Sequence, residues 1–217
     1  MMAVFGPRAN LFMTAALLVA FCGGIFIPLG IWVVPLMGYN TQERFAPVQP
    51  VPFSHKHHVS GLGIDCRYCH TTVEISANAG MPSTAVCMTC HSQVWTNDAM
   101  LAPDRQSLAK DVPIRWTRVY GLPDYVYFDH SIHIAKGVGC TECHGPIGDM
   151  AMTWKASTLY MSWCLSCHRD PAPHLRPSDQ VFNPHWRRSE STPSGQVLMA
   201  QYHIKTQNLS DCGICHR

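Results

Sequence analysis

The sequence predicts a single N-terminal membrane helix followed by a domain of short helices and irregular segments with few strands, packed around prosthetic groups more than around peptide. Three observations carry that reading. Residues 11–38 hold no charged side chain, ten of the eleven cysteines fall in five Cys-x-x-Cys pairs each followed at once by histidine, and the stretches between pairs are broken by prolines. Only 14% of the 217 residues are charged and the formal net charge is +2, which excludes a polybasic nucleic-acid binder and an acidic tail protein. A hydrophobic content of 47% excludes disorder by composition.

The first element is the apolar run Leu11–Gly38, flanked by Arg8 and by Glu43 and Arg44. A bilayer-spanning helix needs about 20 apolar residues, and a signal-peptide core has only about 7–15, so one uncleaved transmembrane anchor is expected. Ala16, Ala20 and Gly24 recur every four residues, a stripe along which a partner helix can approach closely. Pro28 and Pro35 are expected to kink or end its outer half. Residues 1–10 are then a cytoplasmic N-terminus, with one basic residue as a positive-inside signal.

The five pairs are Cys66/Cys69, Cys87/Cys90, Cys140/Cys143, Cys164/Cys167 and Cys212/Cys215, followed by His70, His91, His144, His168 and His216. Cys-x-x-Cys-His is the attachment signature of c-type haem: two thiols form thioethers and the histidine reaches the iron. Zinc ribbons use pairs two at a time and need no fixed histidine. A disulfide scaffold does not space its cysteines so uniformly, and a thioredoxin-like motif accounts for one pair. Five covalently attached haem c groups are expected. Covalent attachment takes place outside the cytoplasmic membrane, so residues 39–217 are placed on the periplasmic face of a single-pass inner-membrane protein.

Val51-Pro-Phe-Ser-His-Lys-His-His and Val126-Tyr-Phe-Asp-His-Ser-Ile-His share Phe-x-His-x-x-His, and each precedes a Cys-x-x-Cys-His motif and then a second one. Successive motifs are spaced 21, 53, 24 and 48 residues apart, which describes two di-haem modules, 51–91 and 126–168, and a C-terminal haem at 212–216. Two histidines three apart sit on neighbouring faces of one turn, so each can serve a different iron. His55, His58, His130 and His133 are therefore the expected distal ligands, and His57 and His174 surface residues. One iron is left a ligand short. Met150 is favoured for it, with Met152, Met161, His185 and His203 as the other candidates; thioether ligation would raise its potential.

Short helices are expected to carry each motif. Trp95, Trp116, Trp154, Trp163 and Trp186 are expected on haem faces, and about half of Arg67, Arg169, Arg176, Arg187, Arg188 and Arg217 on propionates. Ionised propionates would move the formal +2 to roughly −3 with all irons ferric. The fold class is thus a mostly α/irregular multihaem cytochrome c.

Those two histidine segments, together with Met81-Pro-Ser-Thr-Ala-Val-Cys-Met-Thr-Cys-His and Met161-Ser-Trp-Cys-Leu-Ser-Cys-His-Arg, resemble the pentahaem cytochrome c subunit of bacterial alternative complex III. Related chains occur in menaquinone reductase complexes of the same superfamily. The resemblance implies an electron-transfer subunit with no catalytic site of its own. Integral membrane subunits would oxidise quinol, an iron–sulfur subunit would pass on the electrons, and a monohaem cytochrome c or another periplasmic acceptor would receive them. A self-contained quinol dehydrogenase of the nitrite-system type shares the plan of an anchor and haems, but its first motif lies close to the anchor; here 27 residues separate Gly38 from Cys66. Catalytic multihaem reductases often carry Cys-x-x-Cys-Lys, which this sequence lacks.

Overall fold

The computed structural model describes residues 6–216, so residues 1–5 of the expected cytoplasmic segment, and Arg217, lie outside it. The chain divides into two compact units, one ending at Glu43 and one beginning at Arg44.

The first unit is dominated by α1 (Pro7–Val33), which continues into a 3₁₀ turn, Val34–Leu36, and is followed by α2 (Gly38–Thr41). Proline is well suited to the first helical position, where its missing N–H is no loss. Pro28 is accommodated inside α1, and the α-helix gives way to the 3₁₀ turn one residue before Pro35. Arg8–Leu36 is long and apolar enough to cross a membrane, and its side chains are exposed all round. At 1.5 Å per residue α1 is about 40 Å long, against a hydrocarbon core of about 30 Å, which leaves room for tilt.

The second unit has no β-strand among the described residues, only the isolated bridges Val126–His216 and Val138–Leu175. Its helices are short: α3 (Cys66–Cys69), α4 (Thr84–His91), α5 (Ala102–Lys110), α6 (His130–Ala135), α7 (Cys140–His144), α8 (Met161–Arg169), α9 (Gly195–Gln201) and α10 (Cys212–Cys215). A π-helical segment, Lys56–Gly61, follows His55. Five of these helices carry the Cys-x-x-Cys sequences, as expected. Each starts from an extended residue, and at α3 the Asp65 carboxylate caps the Arg67 N–H at 2.8 Å.

Peptide alone makes a thin core. Among the described residues, Val51, Val73, Leu101, Met150, Pro171, Ala172, Leu175, Val181 and Leu198 are the buried apolar side chains. Close backbone packing supplements them. Ser194 caps α9, and Gly195 lies so near the Ala172 carbonyl that a methyl group would collide with backbone. Gly195→Ala should therefore destabilise this unit by about 1–3 kcal/mol, measured by denaturant melting, because backbone cannot yield as a flexible side chain does.

Candidate haem-ligand sites

The two Phe-x-His-x-x-His segments fold alike at the level of individual atoms. In the second, the Asp129 carboxylate caps α6 by accepting from Ser131 N at 2.8 Å and Ile132 N at 3.4 Å. The Asp129 carbonyl accepts the Nδ1–H of His133 at 2.7 Å. In the first, the Ser54 hydroxyl accepts from His57 N at 3.2 Å, and the Ser54 carbonyl accepts from His58 Nδ1 at 2.9 Å. Phe53 stacks on His58 with ring centres 4.5 Å apart and meets His55 edge-on at 5.0 Å. Phe128 repeats this on His133 at 4.5 Å and His130 at 4.8 Å. The phenylalanine thus fixes both imidazoles of its segment at once.

A carbonyl oxygen can only accept, so every Nδ1 on a carbonyl must carry the proton, leaving Nε2 free to bind metal. His70 donates in this way to Gly80 at 2.7 Å, His91 to Val94 at 3.1 Å, His168 to Leu209 at 2.8 Å and His216 to Tyr125 at 3.2 Å. His130 donates to Ala77 at 2.8 Å, and His55 Nδ1 meets the Thr153 hydroxyl at 3.0 Å. His144 is held differently, by the edge of the Tyr120 ring at 4.4 Å; the Tyr120 hydroxyl accepts from Ala156 N at 2.8 Å.

The histidines also come in facing pairs. Ring centres are 6.2 Å apart for His58 and His91, 6.4 Å for His130 and His144, and 6.1 Å for His133 and His168. Two imidazoles on opposite sides of one metal, with bonds of about 2 Å and ring centres roughly 1.1 Å behind each nitrogen, stand about 6 Å apart. The residues present therefore fit haem iron between them. His55 lies within electrostatic reach of His70, and burial together with that charge pulls its pKa down to about 4. Burial also takes His144 down to about 4, helped by the nearby His130, His70 and His55, and lowers His133. All three imidazoles are held neutral at pH 7, the form that binds metal.

The thiols sit in desolvated surroundings. Burial pushes Cys87 and Cys167 up to about 11 and Cys143 up to about 12. Cys66 and Cys140, one from each module, act on one another: Cys140 pulls the Cys66 thiol down, and Cys66 together with burial pushes the Cys140 thiol up.

Other sequence expectations are redistributed. Arg176 is only 2% exposed, and it bonds Glu142 at 2.9 Å and the Thr141 hydroxyl at 2.8 Å, both inside the third motif. A buried guanidinium needs a nearby carboxylate, and Glu142 supplies it. Arg67 is likewise engaged by Asp65 at 2.9 Å, and Arg188 donates to the Leu175 carbonyl at 2.6 Å. These three, expected among the propionate partners, make their contacts to protein. Trp186 lies under the guanidinium groups of Arg176 and Arg188, at 4.7 and 5.5 Å, while Trp95 packs near His57 and His91. His185 Nε2 meets the Ser60 hydroxyl at 3.1 Å, and its Nδ1 lies 3.6 Å from the Asp149 carboxylate. Met150 is buried beside Gly145, next to the third motif, because the turn Ile147–Asp149 folds it back there. The steering roles of Phe53, Phe128, Tyr120 and Thr153 were not drawn from the sequence; only the repeated phenylalanine left a trace in it.

Comparison with known proteins agrees with this geometry. Residues 51–105 and 126–217 match the family described as cytochrome c7 and related cytochrome c, and the two blocks begin at the two histidine segments. Over 135 residues the chain is 36% identical to the multihaem cytochrome c subunit of menaquinone reductase from Nitratidesulfovibrio vulgaris strain Hildenborough. That alignment covers 57% of this chain and 60% of the relative's length. With the family matched over both modules and the C-terminal motif, the chain belongs to the cytochrome c7 and related cytochrome c family, whose members carry covalently bound haem c.

Proposed function

We propose that this chain is a membrane-anchored five-haem cytochrome. It would relay electrons from quinol oxidation, by way of an iron–sulfur subunit, to a periplasmic acceptor, as the pentahaem subunit of alternative complex III or of a related menaquinone reductase complex. The facing imidazole pairs carry the proposal. With nitrogen on both sides of four of the irons, no coordination position is left on them for a substrate, which suits electron transfer. Haem c, when bound, supplies a one-electron iron carrier at each motif.

The ten motif cysteines hold the groups by thioethers, and His70, His91, His144, His168 and His216 are the proximal ligands. His55 pairs with His70, His58 with His91, His130 with His144 and His133 with His168. Each distal histidine thus serves a motif of its own module, the first histidine the first motif and the second the second. Carbonyl acceptors on Nδ1 keep the rings oriented and make them better donors. The apolar helix α1 is the anchor, with the haem unit on the periplasmic face. The relative's role as a menaquinone reductase subunit supports the link to quinone.

Purification of the full chain in mild detergent tests the assignment. Multi-span and iron–sulfur subunits should accompany it; a chain that purifies alone yet oxidises quinol at full rate would overturn it in favour of a self-contained dehydrogenase. Met150, beside the already paired His144, acts as core in this reading and not as the fifth iron's ligand. Met150→Leu should leave the haem spectra unchanged and cost less than about 1.5 kcal/mol of stability. Loss of a near-infrared His/Met signature would restore it as a ligand.

A further inference from the structure

We infer that the five haem sites form one line whose spatial order is motif 2, motif 1, motif 3, motif 4, motif 5, so that the second and fifth motifs are its two ends. The inference rests on the proposal above that each motif carries a haem. It follows from contacts between motifs, taken one junction at a time.

Motifs 2 and 1 are joined by the turn that holds His58, facing His91, and His55, which the proposal above pairs with His70. The Tyr68 hydroxyl inside motif 1 also bonds the Thr89 hydroxyl inside motif 2 at 2.9 Å. Motifs 1 and 3 meet on one dipeptide. The Cys66 sulfur lies 3.7 Å from the Phe182 carbonyl oxygen, and Cys140 N donates to the adjoining Val181 carbonyl at 3.4 Å. Arg67 of motif 1 lies 4.4 Å from the Phe182 ring centre. The flanking chain repeats the junction, with Lys56 N donating to the Met150 carbonyl at 2.9 Å and the Ser60 hydroxyl to Gly148 at 2.7 Å. Motifs 3 and 4 are joined by α6, whose His130 and His133 face His144 and His168. Motif 4 reaches motif 5 through His168, which donates to Leu209, three residues before Cys212.

Exposure of the cysteines gives an independent indication. Cys90 and Cys212 are the exposed motif cysteines, and the other eight are half-buried. The exposed ones belong to the two motifs that the contacts place at the ends. Chain order would instead bring motif 2 against motif 3, which none of these junctions does. The gateways for electron entry and exit are accordingly motif 2, beside Trp95, and motif 5, beside Tyr125.

Two measurements on the full chain in its complex test the order. Electron cryo-microscopy should show nearest-neighbour irons as 2–1, 1–3, 3–4 and 4–5; an iron of motif 2 lying nearer that of motif 3 than that of motif 1 would overturn it. Removing the motif-2 haem by Cys87→Ala with Cys90→Ala should alter the electron paramagnetic resonance signal of one remaining haem. Alteration of two would make motif 2 an interior site and refute the inference. Where that variant does not accumulate, the iron positions of the unaltered protein decide. Intact mass, measured first, separates the two levels: fewer than five haems defeats the underlying reading, whereas five haems in another order defeats only this one.

Discussion

Intact-mass measurement of the mature protein should return the polypeptide plus five haems, and Cys140→Ala with Cys143→Ala should be the most damaging double change in the chain. Motif 3 lies where the structure is most crowded. Its Cys140 rests on the Val181–Phe182 dipeptide that also receives Cys66 of the other module, its Glu142 neutralises the buried Arg176, and its His144 is held by Tyr120 and faces His130. With nine buried apolar side chains among the described residues, peptide packing has little to offer once that haem is lost. The expected cost exceeds the roughly 0.5–3 kcal/mol of ordinary substitutions, so the variant should fail to accumulate or should melt as an expanded state. A variant lacking the third haem but as stable as the parent would contradict a haem-centred core. Bare polypeptide mass, or zinc in place of iron, would end the cytochrome reading of the motifs.

His133→Met should raise the potential of one haem and leave the others nearly in place. Thioether favours ferrous iron over a second imidazole, and axial-ligand identity spans about 0.8 V across haem proteins. The change is local because His133 faces His168, while its neighbour on α6, His130, faces His144. Phe128 stacks on the His133 ring and the Asp129 carbonyl accepts its Nδ1–H, so the substitution also frees both partners. A redox titration followed at the haem bands is the measurement. Equal movement of all potentials, or of none, would remove His133 from the ligand set.

Much of this organisation was legible in the sequence because covalent haem attachment leaves fixed spacings. The duplicated histidine segment, the short motif-bearing helices and the lack of strands all follow from residue type and interval. The pairing of distal with proximal histidines was not legible, since it depends on how α6 and the Lys56–Gly61 turn face motifs tens of residues away. The protein partners of the arginines were not legible for a related reason: Arg176 is drawn to Glu142, 34 residues away. Six residues after His144, Met150 was expected to serve a neighbouring iron; that its side chain is buried beside Gly145 depends on the turn Ile147–Asp149, which spacing does not specify. Nor does composition announce that Tyr120 and Thr153 steer imidazoles, because tyrosine and threonine serve many ends.

The position of each histidine pair upstream of both motifs it serves also bears on how the protein is assembled. If the haem unit is exported as proposed, its N-terminal module would emerge with the proposed distal imidazoles ahead of its cysteines. Its Nδ1 acceptors at Ser54, Gly80 and Val94 lie within the same stretch, and only the Thr153 hydroxyl comes from far downstream. Maturation of the first two haems can therefore begin before the second module has been exported. The Val181–Phe182 dipeptide, on which Cys66 and Cys140 both rest, lies downstream of both modules, so their junction would be completed only after the second has emerged.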